Sequence, residues 1–283
     1  MFKNLSTGTI GIEATISEAF EMASAHGFDG IDLNIAEVAG MVTKTSLSAV
    51  KDLFAQTNIR CGVWGLPVAY RGEIPKWMAD LADLPAAAKL AQSIGADRAT
   101  TGVMPYSDNR PFERNYAFHV ARLKPAVKIL KDNGIRLGIE FIGPKTFRKG
   151  KKYEFVYGLT DTLSICDDLG DNVGLLLDLW HWYTSHGTQK ELDKLTNQQV
   201  VAVHINDAPA DIHIDEQMDL VRCLPGETGV MDIAGFLQAL KKAKYDGPVT
   251  PEPFSERVNE MPPEDALRAT AEAMDKVWTA KLG

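Results

Sequence analysis

Four ionisable residues of the chain, Glu140, Asp178, His204 and Glu252, share one setting: each stands late in a short apolar run. IRLGIEFIG carries Glu140, NVGLLLDLWHW carries Asp178 behind three leucines, VVAVHINDA carries His204, and GPVTPEPFS carries Glu252. Apolar runs of this length, bounded by Gly, Asn and Pro, read as fully buried strands. A polar group at the tip of such a strand needs a reason, because burying it without a partner is costly. If the four tips meet, three carboxylates repel one another, and a divalent cation resolves the conflict. Three oxygen donors and one imidazole suit a single divalent ion, Mn²⁺ first, with Mg²⁺, Co²⁺ or Zn²⁺ as alternatives. The set lacks the thiolates of a structural zinc site.

Convergence requires the four strands to be neighbours, and the rest of the chain supplies a frame for that. Strand-like runs alternate with helical periods throughout. LSTGTIGI reads as a weak first strand, followed by a helix capped by Ser17; FDGIDLNI, RCGVWGLP and ADRATTGV read as strands two to four. The four runs above are then strands five to eight, the sixth reading through to Trp182. Between them lie helical segments; PKWMADLADLPAAAKLAQSIGA reads as one or two helices with Pro85 marking a break, and FERNYAFHVARLKPAVKILKDNG as one long helix or two joined near Pro125. Eight strand–helix units imply parallel strands with crossover helices, hence α/β, a single (β/α)₈ barrel spanning residues 1–283 as one domain. An open doubly wound sheet is the competing topology, but neither GxGxxG nor GxxxxGK[ST] is present to support it. In a barrel, chemistry gathers at the C-terminal ends of the strands, where all four residues fall.

The 283 residues carry a net charge of −8, which opposes a nucleic-acid or anionic-membrane surface. No apolar stretch is long enough to span a bilayer, and no signal peptide is evident. The three cysteines, Cys61, Cys166 and Cys223, are widely spaced and fit a reducing cytoplasm. The sequence points to no nucleic-acid partner and no membrane; a homo-oligomer is compatible with it.

At these residues the chain resembles the sugar phosphate isomerase/epimerase family, the xylose isomerase-like TIM barrels, whose members include ketose 3-epimerases, hydroxypyruvate isomerases, and inosose isomerases and dehydratases. The pieces that carry the resemblance are IEF with Glu140, LDLWHW with Asp178 and His181, VHINDAP with His204, RCLPGETGVMD with Arg222, and PEPF with Glu252. The resemblance implies that Glu140, Asp178, His204 and Glu252 hold one divalent ion and that His181 and Arg222 touch substrate oxygens. It departs at EFIGPKTFRKGKKYE. Ketose 3-epimerases of the group carry an asparagine, an arginine and a second acid there; Pro144, Lys145 and Thr146 point away from that activity.

The implied chemistry is enolisation. A hydroxy-ketone or aldehyde chelates the ion, which stabilises an ene-diolate. Glu252 abstracts the proton beside the carbonyl and Glu140 returns one, with His181 polarising the carbonyl oxygen or orienting a ligand. Arg222 lies in the long loop DAPADIHIDEQMDLVRCLPGETG and otherwise pairs with Asp219 or Glu227. Trp64 and Trp180, with Trp182 and Phe254, would wall a sugar or cyclitol ring. Lys145, Arg148, Lys149, Lys151 and Lys152 read as a solvated loop, with contact to an anionic substrate group as the alternative. His26 and His119 read as structural and His213 as solvent-exposed. The leading expectation is thus a metal-dependent isomerase or epimerase of a sugar, sugar acid or inositol-derived keto compound. The alternative is a dehydratase or other carbon–oxygen lyase, including a C-glycoside-cleaving type, sharing the enolisation step. An endonuclease IV-type enzyme is opposed by the few histidines and the acidic balance; a non-catalytic barrel would lack the convergence.

Overall fold

A computed structural model describes residues 1–282. Eight strands, β1 (Phe2–Leu5), β2 (Gly30–Leu33), β3 (Arg60–Gly65), β4 (Arg98–Val103), β5 (Arg136–Phe141), β6 (Val173–Asp178), β7 (Val200–Ile205) and β8 (Pro248–Pro251), form a closed barrel in the order β1-β8-β7-β6-β5-β4-β3-β2. All neighbouring pairs are parallel. The apolar runs explain this. β6 and β7 are buried at every position, as strands covered on both faces must be. Helix residues Phe20, Leu84, Leu123, Ile165, Phe236 and Met274 are fully buried in the core around the barrel. Arg98 and Arg136 close the N-terminal end by donating to the carbonyls of Val201 (2.8 Å) and Gln198 (2.7 Å).

Several boundaries differ from the sequence reading, each for a local reason. The first strand is Phe2–Leu5, and Thr7–Ile10 within LSTGTIGI is a 3₁₀ turn closed by Gly11 in the left-handed region at φ 75°. The first helix, Ile16–Ala25, is capped by Thr15, not Ser17, through a reciprocal capping box with Glu18. A helix over Ile35–Lys44, not expected from the sequence, starts where Asn34 accepts from the Ala36 N–H. Helices Ile74–Ser93 and Phe112–Asp132 run unbroken through Pro85 and Pro125, held by buried residues on either side such as Leu84 and Ala88, or Leu123 and Ala126. The sixth strand stops at Asp178, and Leu179–Thr184 is helical. An antiparallel pair, Tyr106–Ser107 with Tyr153–Glu154, joins the loops that follow β4 and β5.

Candidate metal centre and active site

Glu140 is the fifth residue of β5, Asp178 ends β6, His204 is the fifth residue of β7, and Glu252 directly follows β8. β5 to β8 are consecutive around the barrel, so the four side chains arrive from adjacent strands. One donor atom from each lies within 4.8 Å of the others. His204 Nδ1 is 3.3 Å from Glu252 Oε2 and 3.7 Å from Glu140 Oε1, yet it makes no hydrogen bond. A buried ring nitrogen without a hydrogen-bond partner, facing carboxylates from neighbouring strands, is the environment of a metal ligand, and the donor set fits a divalent cation.

The electrostatics carry the same message. Burial, and then the charge of Glu252, push Glu140 up to about 8. Burial alone would lower His204, but the Glu252 and Glu140 carboxylates outweigh it and raise the imidazole to about 10. Burial would raise Asp178, but the Arg222 guanidinium holds it well below the usual carboxylate range. Three acids at one point are thus balanced by an arginine and by protons that a metal ion can replace.

Arg222 is 3% exposed and sits inside the site. Its Nη1 donates to Asp178 Oδ2 (2.7 Å) and Glu252 Oε2 (2.9 Å), and its Nη2 donates to Asp219 Oδ1 (2.9 Å). Of the two ion-pair partners read from the sequence, Asp219 is engaged, whereas Glu227 pairs with Arg257. The guanidinium makes cation–π contacts with the rings of Trp180 (5.3 Å) and Phe254 (4.8 Å). Phe254 holds φ 38°, a strained value for a bulky residue.

Asp178 also ends its own strand. Oδ1 accepts from the Trp180 N–H at 2.6 Å, capping the helical turn that carries His181. His181 Nε2 comes to 3.8 Å from Asp178 Oδ2 and 4.0 Å from Glu140 Oε1. Its Nδ1 accepts from the Gly143 N–H (3.3 Å), so the ring proton sits on Nε2 and faces the carboxylates. The Nη2 of Arg222, 3.4 Å from Nε2, is then a contact between two donors. Burial, against the pull of Asp178, lowers the His181 pKa and keeps the ring neutral. Gly143 is obligatory here, since a Cβ would lie 2.0 Å from the His181 carbonyl oxygen.

The basic segment after β5 is not simply solvated. Arg148 is buried, donates to the Gly143 carbonyl (2.5 Å) and lies 3.7 Å over the Tyr157 ring; Lys145 pairs with Asp215 (2.7 Å). Lys149, Lys151 and Lys152 are exposed. Trp64 is not brought to the group. Its indole N–H donates to Ala96 O (3.1 Å), ahead of β4, which aims the ring at the opposite end of the barrel. Trp182 packs on Phe236. His119 is buried among aromatic rings, His26 bonds Met22 and Glu264, and His213 is exposed.

Two residues absent from the sequence reading build the frame. Asn206 donates to Asp178 Oδ1 and to the Glu252 carbonyl, both at 3.2 Å. Asp207 accepts from the N–H groups of Thr228 (3.1 Å), Gly229 (2.7 Å) and Met231 (3.1 Å) and pairs with Cys223 across a β-bridge, which fixes the loop that delivers Arg222. The signal was the polar pair Asn206 and Asp207, separated from His204 by Ile205 in HIND.

A family model described as xylose isomerase-like TIM barrel matches residues 20–277. The chain belongs to the xylose isomerase-like TIM barrel family. Within it, an inosose isomerase of Halalkalibacterium halodurans is 27% identical over 161 residues, covering 54% of this chain and 52% of that protein. The chain thus spans about half the length of the curated relatives it matches. A xylose isomerase domain protein from Alicyclobacillus acidocaldarius superposes with a TM-score of 0.90 at 27% identity, over the whole of both chains. The zinc-binding IOLI protein superposes with a TM-score of 0.82 at 18% identity, again over both whole chains, and shares the fold. Among the described residues no helix is long and apolar enough to cross a membrane.

Proposed function

We propose that this barrel is a divalent-metal-dependent isomerase or epimerase of a polyhydroxylated keto compound, of the inosose or sugar class. The observation that carries the reading is the approach of Glu140, Asp178, His204 and Glu252 to within 4.8 Å at the strand ends. These four would hold the ion, Mn²⁺ by donor type, with Zn²⁺, the metal bound by the IOLI protein, as the alternative. When bound, the ion supplies Lewis acidity to the substrate carbonyl and its adjacent hydroxyl.

The chain's own groups then divide the proton work. Glu252 takes the proton from the carbon beside the carbonyl. Glu140, raised to about 8 without the ion, gives up that proton on coordinating, and as the opposing carboxylate it passes a proton from water back to the substrate. Neutral His181 presents Nε2–H to the oxygen on which charge develops. Arg222, in contact with the rings of Trp180 and Phe254, keeps a fixed positive charge beside the same oxygens.

Proton NMR in D₂O of the metal-loaded protein with a panel of keto-sugars and inososes tests the reading. Deuterium entering the carbon beside the carbonyl, with an isomeric product and no loss of water, supports it. No exchange with any ketone contradicts it, and exchange with release of water or an aglycone assigns the site to the lyase class instead.

A further inference from the structure

The proton-transfer scheme leaves one interior carboxylate unused. Asp32 lies on β2, and the register puts it level with Glu252. Asn4 pairs with Gly30 and Phe2 with Pro248, so two residues beyond the first pair and four beyond the second both fall opposite Ser6. Alternation along a strand gives Asp32 the same face as Gly30. That face is the barrel interior, because a Cβ on Gly30 would lie 2.8 Å from Asn4 Oδ1, and Asn4 donates across the interior to Thr250 Oγ1 (2.9 Å) on β8. Two strand spacings, about 10 Å, separate the Asp32 and Glu252 backbones, and both side chains project into the interior between them.

The chain has made room for this group. Gly62 on β3 faces it, and a Cβ there would come to 2.5 Å from Asp32 Oδ1 and 2.3 Å from Asn4 Oδ1. Oδ1 is fully engaged. It accepts from Asn4 Nδ2 (2.7 Å) and from the Val63 N–H (2.9 Å), a donor released by the irregular β2–β3 register. Oδ2 makes no hydrogen bond among the described residues, and the side chain is only half-buried. A neutral amide or hydroxyl would satisfy Val63 and Asn4 equally well. A full carboxylate inside a barrel, with one oxygen left open, costs desolvation that a structural role does not require. Asp32 is also near enough for the charges of His204 and Glu252 to act on its titration.

We propose that Asp32 is a substrate-binding residue, its free Oδ2 accepting a hydrogen bond from a substrate hydroxyl on the side of the ring away from the Glu140–Asp178–His204–Glu252 group. This deepens the reading above and rests on it. It makes the site selective for polyhydroxylated rings over simple hydroxy-ketones, because an interior oxygen left without its hydroxyl partner is penalised.

The test compares wild type with Asp32→Asn, both metal-loaded, by deuterium exchange into 2-keto-myo-inositol over a range of concentrations. Asparagine keeps the acceptor to Val63 and Asn4 and turns the free oxygen into a donor. The expected result is a KM raised about tenfold or more with kcat within about twofold. If the amide perturbs folding, as judged by near-UV circular dichroism, Asp32→Ser is measured in its place with the same expectation. An unchanged KM, or a kcat that falls with KM unchanged, overturns the proposal while leaving the functional reading intact. Wild-type protein that exchanges no deuterium with any polyhydroxy ketone overturns the reading and the proposal together.

Discussion

Arg222 donates from Nη1 to Asp178 Oδ2 at 2.7 Å, with both side chains withdrawn from solvent. The same nitrogen reaches Glu252 Oε2 at 2.9 Å, so one guanidinium holds together two of the acids proposed to bind the ion. Replacing Arg222 by Leu strands those acids in the interior. Loss of about 3–5 kcal/mol is expected in urea unfolding of the metal-free protein, the usual result of removing one partner of a buried pair. Saturating Mn²⁺ should recover part of it by mass action. Equal stability of the variant and wild type without metal would contradict the role.

Metal uptake should release protons. At pH 7 Glu140, raised to about 8, and His204, raised to about 10, are both largely protonated without metal. Both must be deprotonated to coordinate, so affinity should rise with pH up to about 10. Calorimetric titration with Mn²⁺ at pH 7, in buffers of different ionisation enthalpy, should report about two protons released, one from each residue. Heats independent of buffer would refute the protonation scheme.

The two glutamates should fail differently. Glu252→Gln should lower kcat by about 10²–10⁴ and suppress deuterium exchange with it. Glu140→Gln should retain exchange at the abstracted position while product formation falls. NMR time courses in D₂O read both, and the opposite pattern would exchange the roles.

Gly143 links the loop after β5 to His181, and space for a methyl group is absent there. Gly143→Ala should cost about 1–3 kcal/mol of stability and reduce kcat at least tenfold, through loss of the His181 orientation. Wild-type kcat in the variant would show that the Gly143–His181 bond does not set that orientation.

His119 provides a pH signature remote from the site. Burial lowers it from 6.5 to about 4, with Nδ1 bonded to Asn115 O (2.8 Å) and the ring stacked on Phe155. The folded state thus prefers the neutral ring. Its contribution is complete above pH 6.5 and is lost as pH falls to about 4, about 3 kcal/mol at most. The stability of wild type relative to His119→Leu should fall by up to that amount as pH drops across the window. Parallel profiles would count against it.

Most of the barrel was legible because apolar runs of the right length alternate with helical periods, and tertiary packing agreed with them. The convergence of Glu140, Asp178, His204 and Glu252 was legible for the same reason: each stands late in a short strand-like run, at a comparable depth. What escaped were interactions without a periodic signature. Asp178 ending its strand by capping its own backbone turned LWHW into a helix, and Asn34 started a helix that hydropathy alone did not mark. Trp64 lies on a strand as expected, but alternation does not say toward which end an indole leans. The burial of Arg148 in a basic run, and the service of Asp207 to three loop amides, depend on where the chain returns in space.

The most direct test is the anomalous difference density of crystals of this protein grown with Mn²⁺. One peak is expected, about 2.0–2.3 Å from a donor atom on each of Glu140, Asp178, His204 and Glu252. Density at another site, or no Mn²⁺ among these four at saturating concentration, would contradict the proposal that they share one cation.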